Sequence, residues 1–221
     1  MDVLLLVPTR MELARLALPP GIQSRAEICG FGPVAAAART AQLLARDGAD
    51  LVLLAGIAGA YLEERIVPLG SALWCEEVTL YGIGAGEGDA FLSVDQLGFP
   101  LVHDDEGTSI ATTLPARTFY AADTEGNGNA QKIAALTVCA ASGDANQAKC
   151  RRELHPRAAI EEMEGYGAAL SARLFGSEFA MVRGVSNVAG DRHVAAWRID
   201  EALEAVRHEI VTFFRTIDAQ S

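Results

Sequence analysis

Nothing in this 221-residue chain approaches the roughly 18 consecutive apolar residues that a membrane-spanning helix requires. The opening, MDVLLLVPTRMELARL, has only a short apolar run, Asp2 where a basic flank would stand, and no small-residue cleavage site, so no secretory signal is expected. Positive charge is also short: 18 Lys and Arg stand against 29 Asp and Glu, a formal charge of −11. Such a balance repels phosphates overall, so neither a nucleic-acid nor a membrane partner is expected, although one cleft can still be basic. The four cysteines (Cys29, Cys75, Cys139, Cys150) are scattered, with no CxxC pair and no histidines at metal spacing. That excludes the common zinc and disulfide patterns and suits reduced thiols in a cytoplasmic protein. No internal repeat or low-complexity linker divides the chain. Its length suits a single domain spanning 1–221, because one core commonly organises about 200–250 residues.

What is present is an alternation of short β-type runs with Ala-rich helical stretches. DVLLLVP and AEICGFG read as strands, the second ending in glycines. PVAAAARTAQLLARDG reads as a helix with Pro33 in its first turn and Gly48 as its stop. ADLVLLAGIAG reads as a strand running into a glycine turn, and SALWCEEVTLY as a longer strand. Two more buried strands are expected near 136–143 (LTVCAASG) and 179–186 (FAMVRGVS). Between them EEMEGYGAALSARLFG reads as one helix, with Met163, Gly167, Leu170 and Leu174 as its apolar stripe. RIDEALEAVRHEIVTFFRTI forms a terminal amphipathic helix. The pattern predicts an α/β layered fold with helices on both faces of a mostly parallel sheet. Residues 82–128, weakly periodic and rich in Gly, Asp, Glu and Thr, read as a long functional loop.

Four stretches carry groups suited to chemistry, and each has a plainer explanation. PTRMEL puts Glu12 just past the first strand, where open α/β folds place ligands, but a first-turn carboxylate also suits the helix dipole. GFGPVAAAA and LAGIAG are glycine turns that fit neither GxGxxG nor a P-loop. AIEEMEGYG gathers Glu161, Glu162 and Glu164 around Met163; a carboxylate there can accept from a vicinal diol while the methionine packs on a sugar face. VRGVSN ends its strand with Asn187, either a turn residue or a ligand contact.

In this order and spacing, VPTRMEL, GFGPVAAAA, DLVLLAGIAG, VCAASGDA, EEMEGYGAAL and VRGVSN resemble the purine nucleoside phosphorylase and nucleosidase superfamily, which includes methylthioadenosine/S-adenosylhomocysteine nucleosidases. GEGDAFLSVDQLGF and RGVSNVAGDRHVAAWRIDEAL are similar to the subgroup that hydrolyses futalosine in the alternative menaquinone pathway. The resemblance covers nearly the whole chain. It implies a three-layer α/β/α fold around a twisted, mixed, partly barrel-closed sheet. It also implies cleavage of a purine nucleoside's N-glycosidic bond, with no metal and no organic cofactor. Carried over by position, Glu12 activates the attacking water, Glu164 binds ribose hydroxyls and Met163 lies against the ribose. Gly56 and Ile57 contact substrate, and Asn187 addresses the purine. A homo-oligomer, dimer or higher, is expected by the same analogy.

Chemistry sharpens the Asn187 assignment. Adenine offers a 6-amino donor beside the N7 acceptor, which suits a protonated Asp. A 6-oxopurine offers two acceptors, O6 and N7, which suit the NH₂ of an Asn. A wrong base leaves a buried polar group unpaired, so discrimination can reach on the order of 10⁴-fold. Phosphorylases of the superfamily place Arg and Ser near the LLAGIAG turn, where this chain has Leu54 and Ile57. Aliphatic side chains cannot compensate a phosphate dianion, so water is the expected nucleophile. Arg10, close to Glu12, is the one nearby cation to weigh against this. For the carboxyphenyl end of futalosine, Arg192, His193, Arg198 and Phe99 are the candidates.

Overall fold

Strand β3 (Leu51–Ala60) is apolar at almost every position, because both its edges and both its faces are covered. It is the hinge of an eight-stranded mixed sheet seen in a computed structural model that describes residues 1–61, 66–86, 90–104, 106–119 and 133–219. The elements run β1 (Val3–Val7), α1 (Arg10–Leu16), α2 (Pro20–Gln23), β2 (Ala26–Ile28), α3 (Pro33–Asp47), β3, and β4 (Ala72–Leu80). Short pieces follow: β5 (Gly84–Ala85), β6 (Leu92–Ser93), α4 (Val94–Leu97), β7 (Val102–His103), β8 (Ser109–Ile110) and β9 (Thr113–Pro115). The chain then continues through β10 (Ile133–Thr137), α5 (Ala145–Leu154), β11 (Ala158–Glu162), α6 (Gly165–Leu174), β12 (Glu178–Val188) and α7 (Ile199–Asp218).

Sheet order is β11-β10-β4-β12-β3-β1-β2, with β9 on β4. A further antiparallel pairing, Ile160 with Ala60 and Glu161 with Gly59, joins β11 back to β3. Five strands (β3, β12, β4, β10 and β11) therefore close into a ring, the expected partial barrel. Antiparallel β4–β12, β11–β3 and β4–β9 contacts make the sheet mixed, while its other pairings are parallel, as expected. One core lies between the sheet and α3 with α6; the other lies under α7 and α1, where Leu203, Val206, Ile210, Phe213 and Phe214 are buried. No helix among the described residues is long and apolar enough to cross a membrane.

Three expected elements differ. LTVCAASG is a strand only through Thr137; its remainder is loop, because the sequence from Cys139 onward turns to start α5. The segment read as one helix from Glu161 is a strand end followed by a helix: Glu161 and Glu162 close β11, and α6 starts at Gly165. Leu174 is accordingly exposed, outside any buried stripe. LAGIAG forms no turn; β3 continues straight through Gly56 and Gly59. Of the 82–128 region, residues 87–89, 105 and 120–128 lie outside the described set, and the rest holds β5–β9 and α4 rather than one uninterrupted loop.

Helices α3 and α6 approach closely because alanines line the contact and Gly167 carries no side chain. A Cβ there would overlap the Pro33 carbonyl oxygen and come within 3.0 Å of the Ala37 nitrogen, both backbone atoms. The Ser171 hydroxyl donates to the Ala37 carbonyl at 2.8 Å across the same contact. Gly167→Ala should therefore destabilise by about 1–3 kcal/mol, lowering the thermal midpoint by roughly 2–4 °C for each kcal/mol. An unchanged midpoint in calorimetry would contradict this packing.

Candidate active site

Glu12 sits at the third position of α1. The Thr9 hydroxyl caps the helix by accepting from the Glu12 amide at 3.2 Å, and donates to Glu12 Oε2 at 2.6 Å. Glu12 Oε1 accepts from the Ile57 amide at 3.1 Å, so the carboxylate turns toward β3 and away from solvent. It is 4% exposed. Glu12 is thus a first-turn carboxylate that also lines a cavity.

Glu164 bridges the end of β11 and the start of α6. Its Oε1 accepts from the Gly32 amide at 2.9 Å and its Oε2 from Arg183 Nη2 at 3.2 Å. Burial pushes its carboxyl up to about 7; Arg183 pulls against that rise, and Glu162 and Glu12 add to it. Beneath it, Glu162 Oε2 accepts from the Glu164 amide at 2.9 Å, the Gly165 amide at 2.7 Å and the Arg183 guanidinium. Thr137 donates to the other Glu162 oxygen.

Arg183 was not foreseen as a site residue. It is fully buried, yet among the described residues its Nε and Nη1 have no hydrogen-bond partner. Burial alone would lower its pKa, but Glu162 and Glu164 hold it above the usual arginine range, so it stays charged. A lone arginine inside the apolar run FAMVRGVS was the available signal, since arginine is almost never fully buried unpaired.

Gly56 explains how these groups fit. A Cβ there would collide with Arg183 Nη1 and lie 2.8 Å from Glu12 Oε1. Gly56 thus makes room for the two side chains and is not among the residues lining the cavity, which corrects its expected substrate contact. Ile57 does line it.

Asn187 belongs to β12 and pairs with Gly59 after a bulge, so it is a strand residue rather than a turn tip. Its Oδ1 accepts from the Ser186 hydroxyl and its Nδ2 donates to the Val188 carbonyl, each at 2.8 Å. One amide hydrogen remains for a ligand, not the two expected.

Together Glu12, Ile57, Met163, Glu164 and Asn187 line one cavity of about 380 Å³. Phe31, Val194 and Trp197 form its apolar side, with the Arg192 guanidinium 5.2 Å from the Trp197 ring. Five residues weighed from the sequence lie elsewhere. Phe99, 66% exposed, follows α4, an excursion that borders a separate cavity against β4. His193 and Arg198 are exposed and outside the lining. Leu54 points into the core under α3 and α6, so it gives no evidence about a nucleophile. Arg10 is exposed and likewise outside the lining.

Residues 26–219 match the phosphorylase superfamily. The chain belongs to that superfamily, whose fold joins a ring-closed sheet to flanking helices. Within it the chain falls among the futalosine hydrolases: it is 41% identical over 182 residues to futalosine hydrolase of Streptomyces coelicolor, across 80% of this chain and 72% of that one. Its fold is similar to the native structure of futalosine hydrolase of Helicobacter pylori, with a TM-score of 0.69, 14% identity and 97% of both chains covered. It is also similar in fold to S-adenosylhomocysteine nucleosidase of Streptococcus pyogenes, with a TM-score of 0.73, 17% identity, and coverage of 98% of this chain and 97% of that one.

Removing the central cation leaves Glu162 and Glu164 buried without compensation. Arg183→Met should cost about 3–5 kcal/mol, read as a lower urea midpoint at unchanged slope. Stability equal to that of the wild type would contradict the pairing.

Proposed function

We propose that this nucleosidase hydrolyses futalosine, releasing hypoxanthine and leaving dehypoxanthinyl futalosine. The observation that carries the reading is the convergence of Glu12, Glu164 and Asn187 on one cavity from three distant parts of the chain. Breaking the bond from ribose C1′ to the purine builds positive charge on the sugar and negative charge on the base. Glu164 accepts from the ribose 2′- and 3′-hydroxyls and favours the cationic ring, and Met163 packs on the sugar. Glu12 orients and deprotonates water aimed at C1′. Arg183, whose Nη1 approaches the space above Gly56 as Glu12 Oε1 does, places positive charge beside that carboxylate from beneath the cavity.

The remaining Asn187 N–H donates to the leaving base at N7 or O6. Its oxygen already accepts from Ser186 through one of its two lone pairs, and the free N–H is the group that matches the acceptors of a 6-oxopurine. Arg192, Trp197 and Phe31 offer a cation and apolar walls for the carboxyphenyl end. Water rather than phosphate fits the charge. Glu12, Glu162 and Glu164 surround a single guanidinium, a net negative environment for an incoming dianion. Assembly as a homo-oligomer is part of this proposal, and a second copy would cover exposed apolar side chains such as Leu92, Leu97 and Phe99.

Incubation with futalosine, inosine and methylthioadenosine, with and without phosphate, tests the reading. Hypoxanthine release from futalosine without phosphate is expected; adenine release or strict phosphate dependence would sink it. Glu12→Gln should lower kcat by roughly 10²–10⁴-fold while ligand still binds, and Asn187→Asp should shift preference toward adenine nucleosides.

The pH dependence follows from Glu164. Its raised carboxyl is protonated below about 7 and then cannot accept from both ribose hydroxyls as an anion. The ratio kcat/KM should therefore fall on the acid side of about pH 7, close to tenfold per unit. A profile flat from pH 5 to 8 would show that Glu164 ionisation does not govern the reaction.

A further inference from the structure

A second buried ion pair stands beside the site and takes no part in the chemistry above. Arg151 on α5 and Glu161 on β11 are 6% and 4% exposed, and their nearest atoms are 3.2 Å apart. Both Glu161 oxygens are held: Oε1 accepts from the Ser142 amide at 2.8 Å, and Oε2 accepts from the Ser142 hydroxyl at 2.7 Å, the Tyr61 hydroxyl at 2.6 Å and Arg151. Arg151 also donates to the Ala140 carbonyl at 2.9 Å and the Ser142 hydroxyl at 3.1 Å, with its guanidinium 5.2 Å from the Tyr81 ring.

These bonds hold the loop between β10 and α5. Val138 and Ala141 of that loop line the cavity, and so does Glu161 itself. The loop is clamped on its other side by the chain leaving β12: a Cβ on Gly190, whose φ is +88°, would strike the Asp144 carbonyl oxygen. Gly190 lies three residues beyond Asn187. Across the sheet, Asn187 and Glu161 are both register partners of Gly59, and a Cβ on Gly59 would lie 3.3 Å from Asn187 Nδ2. A shift of the Ser142–Asp144 segment would therefore move one wall of the cavity and press on the strand end that carries Asn187.

We propose that Arg151 and Glu161 are positioning residues for base recognition: they fix the Val138–Asp144 loop, and with it the wall opposite Asn187 that holds the purine. They act through Ser142 and Gly190 and do not touch the base. The inference rests on the nucleosidase reading for its ligand but not on which purine is released.

The test uses the full chain and two probes, free hypoxanthine and free adenine, titrated by calorimetry, together with kcat and KM for the nucleoside that the wild type cleaves. Glu161→Gln keeps the shape and removes the charge. It should weaken binding of the base the wild type releases by tenfold or more and raise KM similarly, with kcat lowered less than threefold. Ser142→Ala should move the same quantities in the same direction by a smaller factor, and Arg151→Lys should restore part of what Arg151→Met loses. A merely structural pair would lower the thermal midpoint without this split. Base affinity and KM within twofold of the wild type in Glu161→Gln, or a fall in kcat at constant KM, would overturn the proposal. Should Glu161→Gln fail to fold, Ser142→Ala is judged by direction: base affinity and KM unchanged from the wild type overturn the proposal. Wild-type release of adenine would defeat the futalosine reading while leaving this pair to be judged on adenine.

Discussion

A guanidinium sealed from water must be compensated by carboxylates, and those carboxylates must then be held in place by something other than solvent. Arg183 imposes this condition on the centre of the fold. Glu162 and Glu164 answer it from the end of β11 and the start of α6, and the Glu162 oxygens are in turn held by backbone amides of α6 and by Thr137. The arrangement fixes Glu164 at the cavity with a raised proton affinity. It also brings Nη1 of the same arginine and Glu12 together over position 56, where a Cβ would strike the one and lie 2.8 Å from Oε1 of the other. The two carboxylates assigned to sugar and water in the proposed reaction thus lie beside one buried cation.

Closure of the ring by β3 and β11 makes this sharing possible. Successive residues of a strand face opposite sides, so Glu161 and Glu162 diverge from adjacent positions, each to its own buried arginine. One pair holds Glu164 at the cavity; the other holds the loop between β10 and α5. A region so dense in buried charge is costly to assemble, and every carboxylate oxygen of Glu161 and Glu162 is accordingly met by a donor.

Much of this was legible in the sequence, and what was not has physical causes. The alternation of strands and helices gave β1, α3, β4 and α7 within a residue or two, since these rest on local periodicity and on signals such as Pro33 and Gly48. The pairing that turns Glu161–Glu162 into a strand end is non-local, so the acidic run looked like a helix head. LAGIAG looked like a turn because glycines usually mark one; here they mark close approach by Arg183, Glu12 and Asn187. The assignments of Glu12, Glu164, Met163, Ile57 and Asn187 by resemblance converge on one cavity, whereas Phe99 and Leu54 do not reach it. Arg183 carried the clearest missed signal, a charge amid apolar strand residues.

The central claim is that water oriented by Glu12 attacks C1′ of a 6-oxopurine nucleoside anchored by Glu164. Turnover of futalosine in ¹⁸O-labelled water, with mass spectrometry of both products, tests it most directly. The account predicts unlabelled hypoxanthine and a single ¹⁸O on the ribose C1′ hydroxyl of the other product. Absence of label from the sugar, or a sugar phosphate in its place, would contradict it.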